Sequence, residues 1–558
     1  MAESLVSPLL EQITTIATQQ VQEEVTLVVG VEEEVEKLTS NLSAIQAVLE
    51  DAERRQLKEA VVRDWINKLK QLVYDIDDVL DEWSTAILKR QTHEEAENQA
   101  VSKKMVCSFL PSPCSCFQKV IHRRDIALKI KKVSERLDVI AKEKARYRFE
   151  SDKGIEETER LIMDGNDLEE SYTATSYERV RHSTVELSSQ GHFPVSIYKA
   201  KNLRSLLMIN ATNPSLGATL PDLFKQLTCL RSLDLSRSSI QEIPIEVVKL
   251  IHLRYLDLSY CRKLKSLPET ICDLCNLQSL AVSWCDSIKE LPQATGKLTK
   301  LRHLMVDYSG VAFIPKGIER LSSLRTLDRF PVCSDGENAS KAANLGELKN
   351  LNQLRGSLWI EKLGNMVDVS EAEKAELKNK KHLQRLALWF DGEKTELRAN
   401  EEALIEALQP PSDLDVLHIE DYSGIFLPNW IMSLTRLTKL ELVDCGNFEV
   451  LPPLGRLPNL EYLELMGLKQ RRLDVGFLGI ENVDKAYINE GELARVPAFP
   501  KLKQLKIWYL EELEEWDDWI ERRVGEKDAT TSIIMRQLQE LRISDCPILK
   551  LEDLEPRL

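Results

Sequence analysis

From Leu203 onward the chain keeps a regular beat. The segment LRSLDLS begins at Leu230, LRYLDLS at Leu253, LQSLAVS at Leu277, LRHLMVD at Leu301 and LRTLDRF at Leu324, at intervals of 23, 24, 24 and 23 residues. A second landmark holds the same phase, as Ile243-Pro244, Leu267-Pro268, Leu291-Pro292 and Ile314-Pro315. Two landmarks recurring together over four periods mean one supersecondary unit stacked on copies of itself, each a short strand with an irregular or short helical return. LRSLLMI at Leu203 opens the series. LQRLALWF (Leu383), LDVLHIE (Leu414), LTKLELVD (Leu437), LEYLELM (Leu460), LKQLKIW (Leu502) and LQELRIS (Leu538) continue it less evenly, and longer gaps such as 461–501 read as loop insertions.

This period and the LxxLxL core define leucine-rich repeats, so an α/β horseshoe solenoid is expected over 196–558. The leucines point inward and the residues between them face the concave surface. The position after the first leucine is then a column, read as Arg204, Arg231, Arg254, Gln278, Arg302, Arg325. Cations stacked at the strand spacing of about 4.7–4.9 Å repel one another, and Asp234 and Asp257 offset only part of that. Such a column suits an acidic partner, or else is a solvated face that keeps the solenoid soluble.

Residues 1–150 have a different character. Apolar residues at helical spacing predict four helices near 5–29, 31–54, 59–92 and 117–146, interrupted near Gly30 and at LPSPCSC (110–116). The third contains VYDIDDVLDEW (73–83), with five acids, Asp75, Asp77, Asp78, Asp81 and Glu82. Val73, Ile76, Leu80 and Trp83 form one helical stripe and the acids take the opposite arc. A strand ending in a magnesium-binding Asp-Asp pair would need alternation or a continuous apolar run, and this stretch has neither. Leu5, Leu9, Ile13 and Ile16 make a further stripe, which is a bundle core or, alternatively, a membrane-active face.

Charge and motifs narrow the function classes. With 74 basic against 90 acidic side chains and a net charge of -16, phosphate backbones and anionic lipid are repelled, so no nucleic acid partner and no membrane association at rest are expected. MAESLVSPLLEQ lacks a basic n-region and a small-residue cleavage site, which predicts a cytoplasmic protein. The three Asn-x-Ser/Thr sequons, at Asn41, Asn210 and Asn338, then carry no sugar. Cys272 and Cys275 have CxxC spacing, but no second pair completes a zinc site. No Gly-x-Ser-x-Gly elbow or His-Glu-x-x-His is present, and the eight histidines are scattered, so no catalytic residue and no metal ligand is assigned.

MAESLVSPLLEQ, AIQAVLEDAERRQ, VRDWINKLK and VYDIDDVLDEWSTAIL together resemble the Rx-type coiled-coil domain of plant nucleotide-binding leucine-rich-repeat (NLR) disease-resistance proteins. ERVRHSTVELSSQGHFPVSIYKAKNLRSLLMI (178–209) and the repeats after it resemble that family's C-terminal half. The resemblance implies that the acidic motif, here Asp75, Asp77, Asp78 and Asp81, contacts basic repeat residues, with Arg204, Arg231, Arg254, Arg302 and Arg325 as the candidate surface. Full-length relatives bind ADP or ATP as a switch, through a P-loop whose glycines let backbone amides wrap the phosphates. Here the only Gly-Lys pair, Gly296-Lys297, is followed by Leu298 inside a repeat. The polar junction 151–195 is too short to hold an ATPase domain.

No nucleotide cofactor is therefore expected. The expectation is a non-enzymatic plant immune protein, recognising or regulating through its helical bundle and repeats. Its partners would be pathogen effectors, host guard targets or related NLR proteins, with self-association through the N-terminal helices. The alternative is a truncated isoform or gene model of a full receptor that acts as an ADP/ATP switch.

Overall fold

The computed structural model describes residues 3–22, 32–56, 59–102, 113–144, 147, 180–187, 193–209, 215–333, 338–366, 368–391, 401–448, 450–473, 475–479, 498–516 and 534–549. The chain divides into two compact units, the first made of 1–236, 244–256 and 273–277, and the second of 237–243, 257–272 and 278–558.

The first unit opens with helices α1 (Glu3–Gln22), α2 (Glu32–Gln46), α3 (Leu49–Arg55), α4 (Ala60–Ser102) and α5 (Pro113–Lys144). The helix expected over 31–54 is broken at Ala47-Val48, where Val48 N–H turns back to Ile45 O at 3.0 Å and Val48 has ψ near zero. The third expected helix, 59–92, is α4 and runs ten residues beyond that end, because no Gly or Pro stops it before Ser102. The last starts at Pro113 rather than 117: proline suits a first helical turn, where its missing N–H has no intrahelical partner to lose. Gly30 and most of the junction, 148–179, lie outside the described residues.

The predicted stripes form the core. Leu9, Ile13 and Ile16 of α1 and Val73, Ile76, Leu80 and Trp83 of α4 are all buried with Leu42, Leu69, Ile130 and Leu137, and the Leu5 side chain lies outside the described residues. Polar contacts fix the register of the packed helices: Trp65 Nε1 donates to Ile140 O at 3.1 Å, and Gln46 Nε2 to Ser7 Oγ at 2.9 Å.

The same unit contains strands β1 (His182–Glu186), β2 (Ser205–Ile209), β3 (Ser232–Asp234) and most of β4 (Tyr255–Asp257). β1 pairs parallel to β2 with His182 opposite Ser205, so the repeats begin inside the stretch expected to be linker (151–195), ahead of residue 196. HSTVE buries Val185, with Leu187 just after it, and lacks the leucine signature that marks the later strands.

In the second unit, β5 (Ser279–Ala281), β6 (His303–Met305) and β7 (Thr326–Leu327) pair in sequence order, β6 parallel to both neighbours. A further parallel sheet comprises β8 (Arg329–Pro331), β9 (Arg355–Glu361), β10 (His382–Trp389), β11 (Val416–Glu420), β12 (Lys439–Val443) and β13 (Tyr462–Met466). After the short β14 (Arg472–Leu473) it continues through β15 (Gln504–Trp508) and, past β16 (Glu515–Trp516), β17 (Glu540–Ser544). β9 was not anticipated, because LNQLRGSLWI carries an extra Gly-Ser inside the LxxLxL spacing. Three of the four prolines of the second landmark open 3-10 turns: the N–H of Val247 bonds Pro244 O, that of Ile271 bonds Pro268 O and that of Thr295 bonds Pro292 O, each at 3.1 Å. Proline needs no N–H at that position and its fixed φ suits the turn.

Candidate functional site: an acidic helix on an arginine column

Within the first unit, successive backbone bonds build the arginine column. Arg204 N–H donates to Arg181 O, Arg231 N–H to Arg204 O and Arg254 N–H to Arg231 O, all at 2.7 Å. Each guanidinium is thus offset from the last by one strand, and the column starts one residue earlier than the leucines announce, at Arg181.

Helix α4 meets this column with three of its acids. Arg204 Nη1 is 3.0 Å from Asp77 Oδ2 and its Nη2 is 3.0 Å from Asp78 Oδ1. Arg204 also donates to Tyr74 O and lies over the Tyr74 ring, 4.4 Å from its centroid. Arg231 pairs with Asp77, with Asp78 at 2.9 Å and with Asp81 at 3.2 Å. Arg254 Nη2 is 2.7 Å from both oxygens of Asp81. His252 Nδ1 stands 3.8 Å from Asp81 Oδ2, beyond hydrogen-bond length. Gln12 Nε2 donates to Asp81 Oδ1 at 2.9 Å, tying α1 into the cluster.

Asp81 is 3% exposed, so it does not stand on a solvated outer arc. Burial alone would push its carboxyl up, but His252, Arg231 and Arg254 outweigh that and hold it well below the usual carboxylate range. Burial likewise works against the Arg231 cation, while Asp77, Asp81 and Asp78 keep its pKa above the ordinary value. Arg181, buried and beside Arg204, is lowered by the first effect and then by the second. A neutral bond extends the contact: Asn276 Nδ2 donates to Thr85 Oγ1 at 2.6 Å, one helical turn past Asp81.

The predicted residues therefore separate. Asp77, Asp78 and Asp81 come together with Arg204, Arg231 and Arg254. Asp75 turns to the bundle instead and pairs with Arg136 Nη1 of α5 at 2.7 Å. On a helix it lies about 200° around the axis from Asp77, whereas Asp77 and Asp81 are four residues apart on one face. Arg302 and Arg325 belong to the second unit. Tyr74, Arg181, His252, Thr85 and Asn276 were not anticipated. His252 was readable, since it precedes Leu253 directly, but its place beside an acid was not.

Among the described residues no three or more His, Cys, Asp or Glu are arranged to hold a metal ion. Cys272 is buried, and Cys275 Sγ bonds Asp273 O at 3.4 Å. No helix among them is long and apolar enough to cross a membrane.

Known proteins agree with both parts of this architecture. The Rx N-terminal domain family matches residues 5–120, a leucine-rich-repeat family 228–286, and the R13L1/DRL21 repeats 345–468. Disease resistance protein RGA1 of Solanum bulbocastanum is 41% identical over 290 residues, 52% of this chain and 27% of its own length. RGA4 of the same species is 37% identical over 248 residues, 44% of this chain and 22% of its own. The Arabidopsis thaliana disease resistance RPP13-like protein 1 is 31% identical over 368 residues, 63% and 33% respectively. The chain thus spans about a third or less of the length of these relatives. An Rx-type helical domain, parallel leucine-rich repeats and these relatives together make the chain similar, in both of its parts, to the NLR-type disease resistance proteins of plants.

Proposed function

We propose that the chain is a non-enzymatic immune protein that works in the cytoplasm through protein contacts, its helical domain held on the first repeats by an acidic clasp. The observation that carries this reading is the row of ion pairs from Asp77, Asp78 and Asp81 to Arg204, Arg231 and Arg254. Opposed charges with matched spacing favour one partner and one register. A helical domain so held is kept from other partners until a competitor reaches either surface. Candidate competitors are a pathogen effector, a guarded host protein or a related receptor. Small-angle scattering of the full chain tests the clasp. Asp77→Arg with Asp78→Arg should enlarge the radius of gyration, and adding Arg204→Glu with Arg231→Glu, the partners of those two acids, should restore it. An unchanged radius in the first pair would sink the reading.

The length of the relatives supports a second reading, that the functional protein contains a nucleotide-binding domain between the helices and the repeats. Transcript reads that insert hundreds of codons across residues 154–184 would favour it, and reads that cross this span without insertion would exclude it.

A further inference from the structure

In the second unit one position of the repeat departs from ordinary backbone geometry. Seven residues after the first leucine the chain turns left-handed, at Arg237 (φ 58°), Tyr260 (φ 62°), Trp284 (φ 60°), Tyr308 (φ 50°), Asp421 (φ 58°), Asp444 (φ 51°), Gly467 (φ 65°), Tyr509 (φ 54°) and Asp545 (φ 56°). The bend is held from repeat to repeat. Tyr260 N–H donates to Ser283 O at 2.8 Å, Trp284 N–H to Asp307 O at 3.0 Å, Asp421 N–H to Val443 O at 3.0 Å and Asp444 N–H to Met466 O at 2.8 Å. Glycine and aspartate are the residues that tolerate this conformation, and the later repeats use them except at Tyr509. Three consecutive repeats place Tyr, Trp and Tyr there instead, where a bulky side chain is strained. Strain kept at a surface position points to function.

The rings form a stack. Tyr260 and Trp284 lie 5.7 Å apart at 3°, and Trp284 and Tyr308 4.3 Å apart at 20°. Trp359, Trp389 and His418 continue the row at 6.1, 5.5 and 6.4 Å. Tyr260 is 38% exposed, Trp284 37% and Tyr308 50%.

A line of carboxylates runs beside the stack. On two of the strands an aromatic ring and an acid are two residues apart and so share a face, Trp359 with Glu361 and His418 with Glu420, and Asp391 follows just after the end of β10 at Trp389. Burial, then neighbouring acids, push the carboxyls of Asp307 and Asp391 up, and that of Asp328 to about 6. Arg329 is held by Glu361 at 2.6 Å. Ring faces and carboxylates both attract cations. One end of the stack already takes one, since the Arg237 guanidinium lies 4.8 Å from the Tyr260 centroid.

We propose that the Tyr260–Trp284–Tyr308 face, with Asp307 and Asp391 beside it, binds an arginine- or lysine-bearing segment of a partner protein. The rings give area and π faces at fixed spacing, and the carboxylates select positive charge. The proposal rests on the protein-binding reading above, and its failure would leave the clasp to be judged by its own scattering experiment.

Fluorescence anisotropy of the full chain with a labelled octapeptide of alternating Arg and Gly tests it at near-physiological salt. Binding should be at least tenfold tighter than for the matched Glu-Gly and Ser-Gly peptides. Trp284→Ala with Tyr308→Ala should weaken it at least tenfold, and Trp284→Phe with Tyr308→Phe should stay within threefold of the unaltered chain. Circular dichroism checks folding, and the tryptophan emission of the unaltered chain should shift on peptide addition. Undetectable binding, an unmoved emission, or equal binding by the alanine pair would overturn the proposal. So would an equal loss on Asp222→Asn, which reports net charge alone. Aromatic-dependent self-association in sedimentation, or equally tight binding of a neutral oligosaccharide, would assign the face to a different occupant and also overturn it.

Discussion

Arg254 Nη2 lies 2.7 Å from both carboxylate oxygens of Asp81, and that aspartate is almost wholly buried. A buried acid with such partners is costly to remove, because the cations it neutralised stay behind. Asp81→Ala should therefore lower stability by about 3–5 kcal/mol in urea unfolding of the full chain. Arg254→Ala should cost less, since its side chain is 35% exposed. The sign of the pH effect follows from the depressed carboxyl. Its contribution is complete above the ordinary aspartate value and is lost as pH falls through the folded one. Asp81→Asn should flatten that acid limb. An Asp81→Ala cost below about 1 kcal/mol would contradict the account.

Asp75 offers the matched control. Its pair with Arg136 is half-exposed, at 30% and 45%, so Asp75→Ala should cost about 0–1 kcal/mol and leave the compactness of the chain unchanged. A change in radius as large as that of the Asp77 and Asp78 reversal would mean that the acids act by bulk charge rather than by position.

How far this site was legible follows from periodicity. The stripe Val73, Ile76, Leu80, Trp83 and the column Arg204, Arg231, Arg254 were both readable, because each repeats at the period of its own element. The split between Asp75 and Asp77 was also implicit in the helical angle, though treating the acids as one arc hid it. Arg181 was hidden because HSTVE has no leucine to set its register. The left-handed bend at Tyr260, Trp284 and Tyr308 leaves no trace in composition: the residues that signal it, Gly and Asp, appear only in the later repeats.

The sole Gly-Lys pair of the sequence has a packing role. A Cβ on Gly296 would sit 2.4 Å from Gly317 O, closer than any real contact, and a backbone carbonyl in a stacked repeat has little freedom to move. Gly296→Ala should cost about 1–3 kcal/mol in thermal or urea unfolding, while Lys297→Ala should stay within about 0.5 kcal/mol. The reverse ranking would mean that the lysine holds something the glycine does not.

Because the pair is a repeat contact rather than a phosphate loop, the purified chain is expected to take up neither ATP nor ADP. Isothermal calorimetry with magnesium present is the measurement. Micromolar binding would place a nucleotide site in this chain and sink the reading of the junction.

His418 sets an alkaline limit on the later repeats. Its Nε2 is 2.8 Å from Glu420 and its Nδ1 3.4 Å from Glu441. Burial disfavours the imidazolium, but the two carboxylates outweigh it and raise the pKa to about 9. A raised base contributes stability that is complete below its unfolded value near 6.5 and is lost as pH rises through about 9. Burial also disfavours the charged Glu441, but His418 and Lys439 lower its pKa, so its contribution is present above the ordinary glutamate value and lost toward acid. The pair is thus strongest between those limits. His418→Gln should cost about 1–3 kcal/mol at pH 7, where the charged partners are left unmatched, and much less at pH 10, where the native imidazole is already neutral. A cost that is the same at both pH values would show that His418 acts by packing against Trp389 rather than by charge.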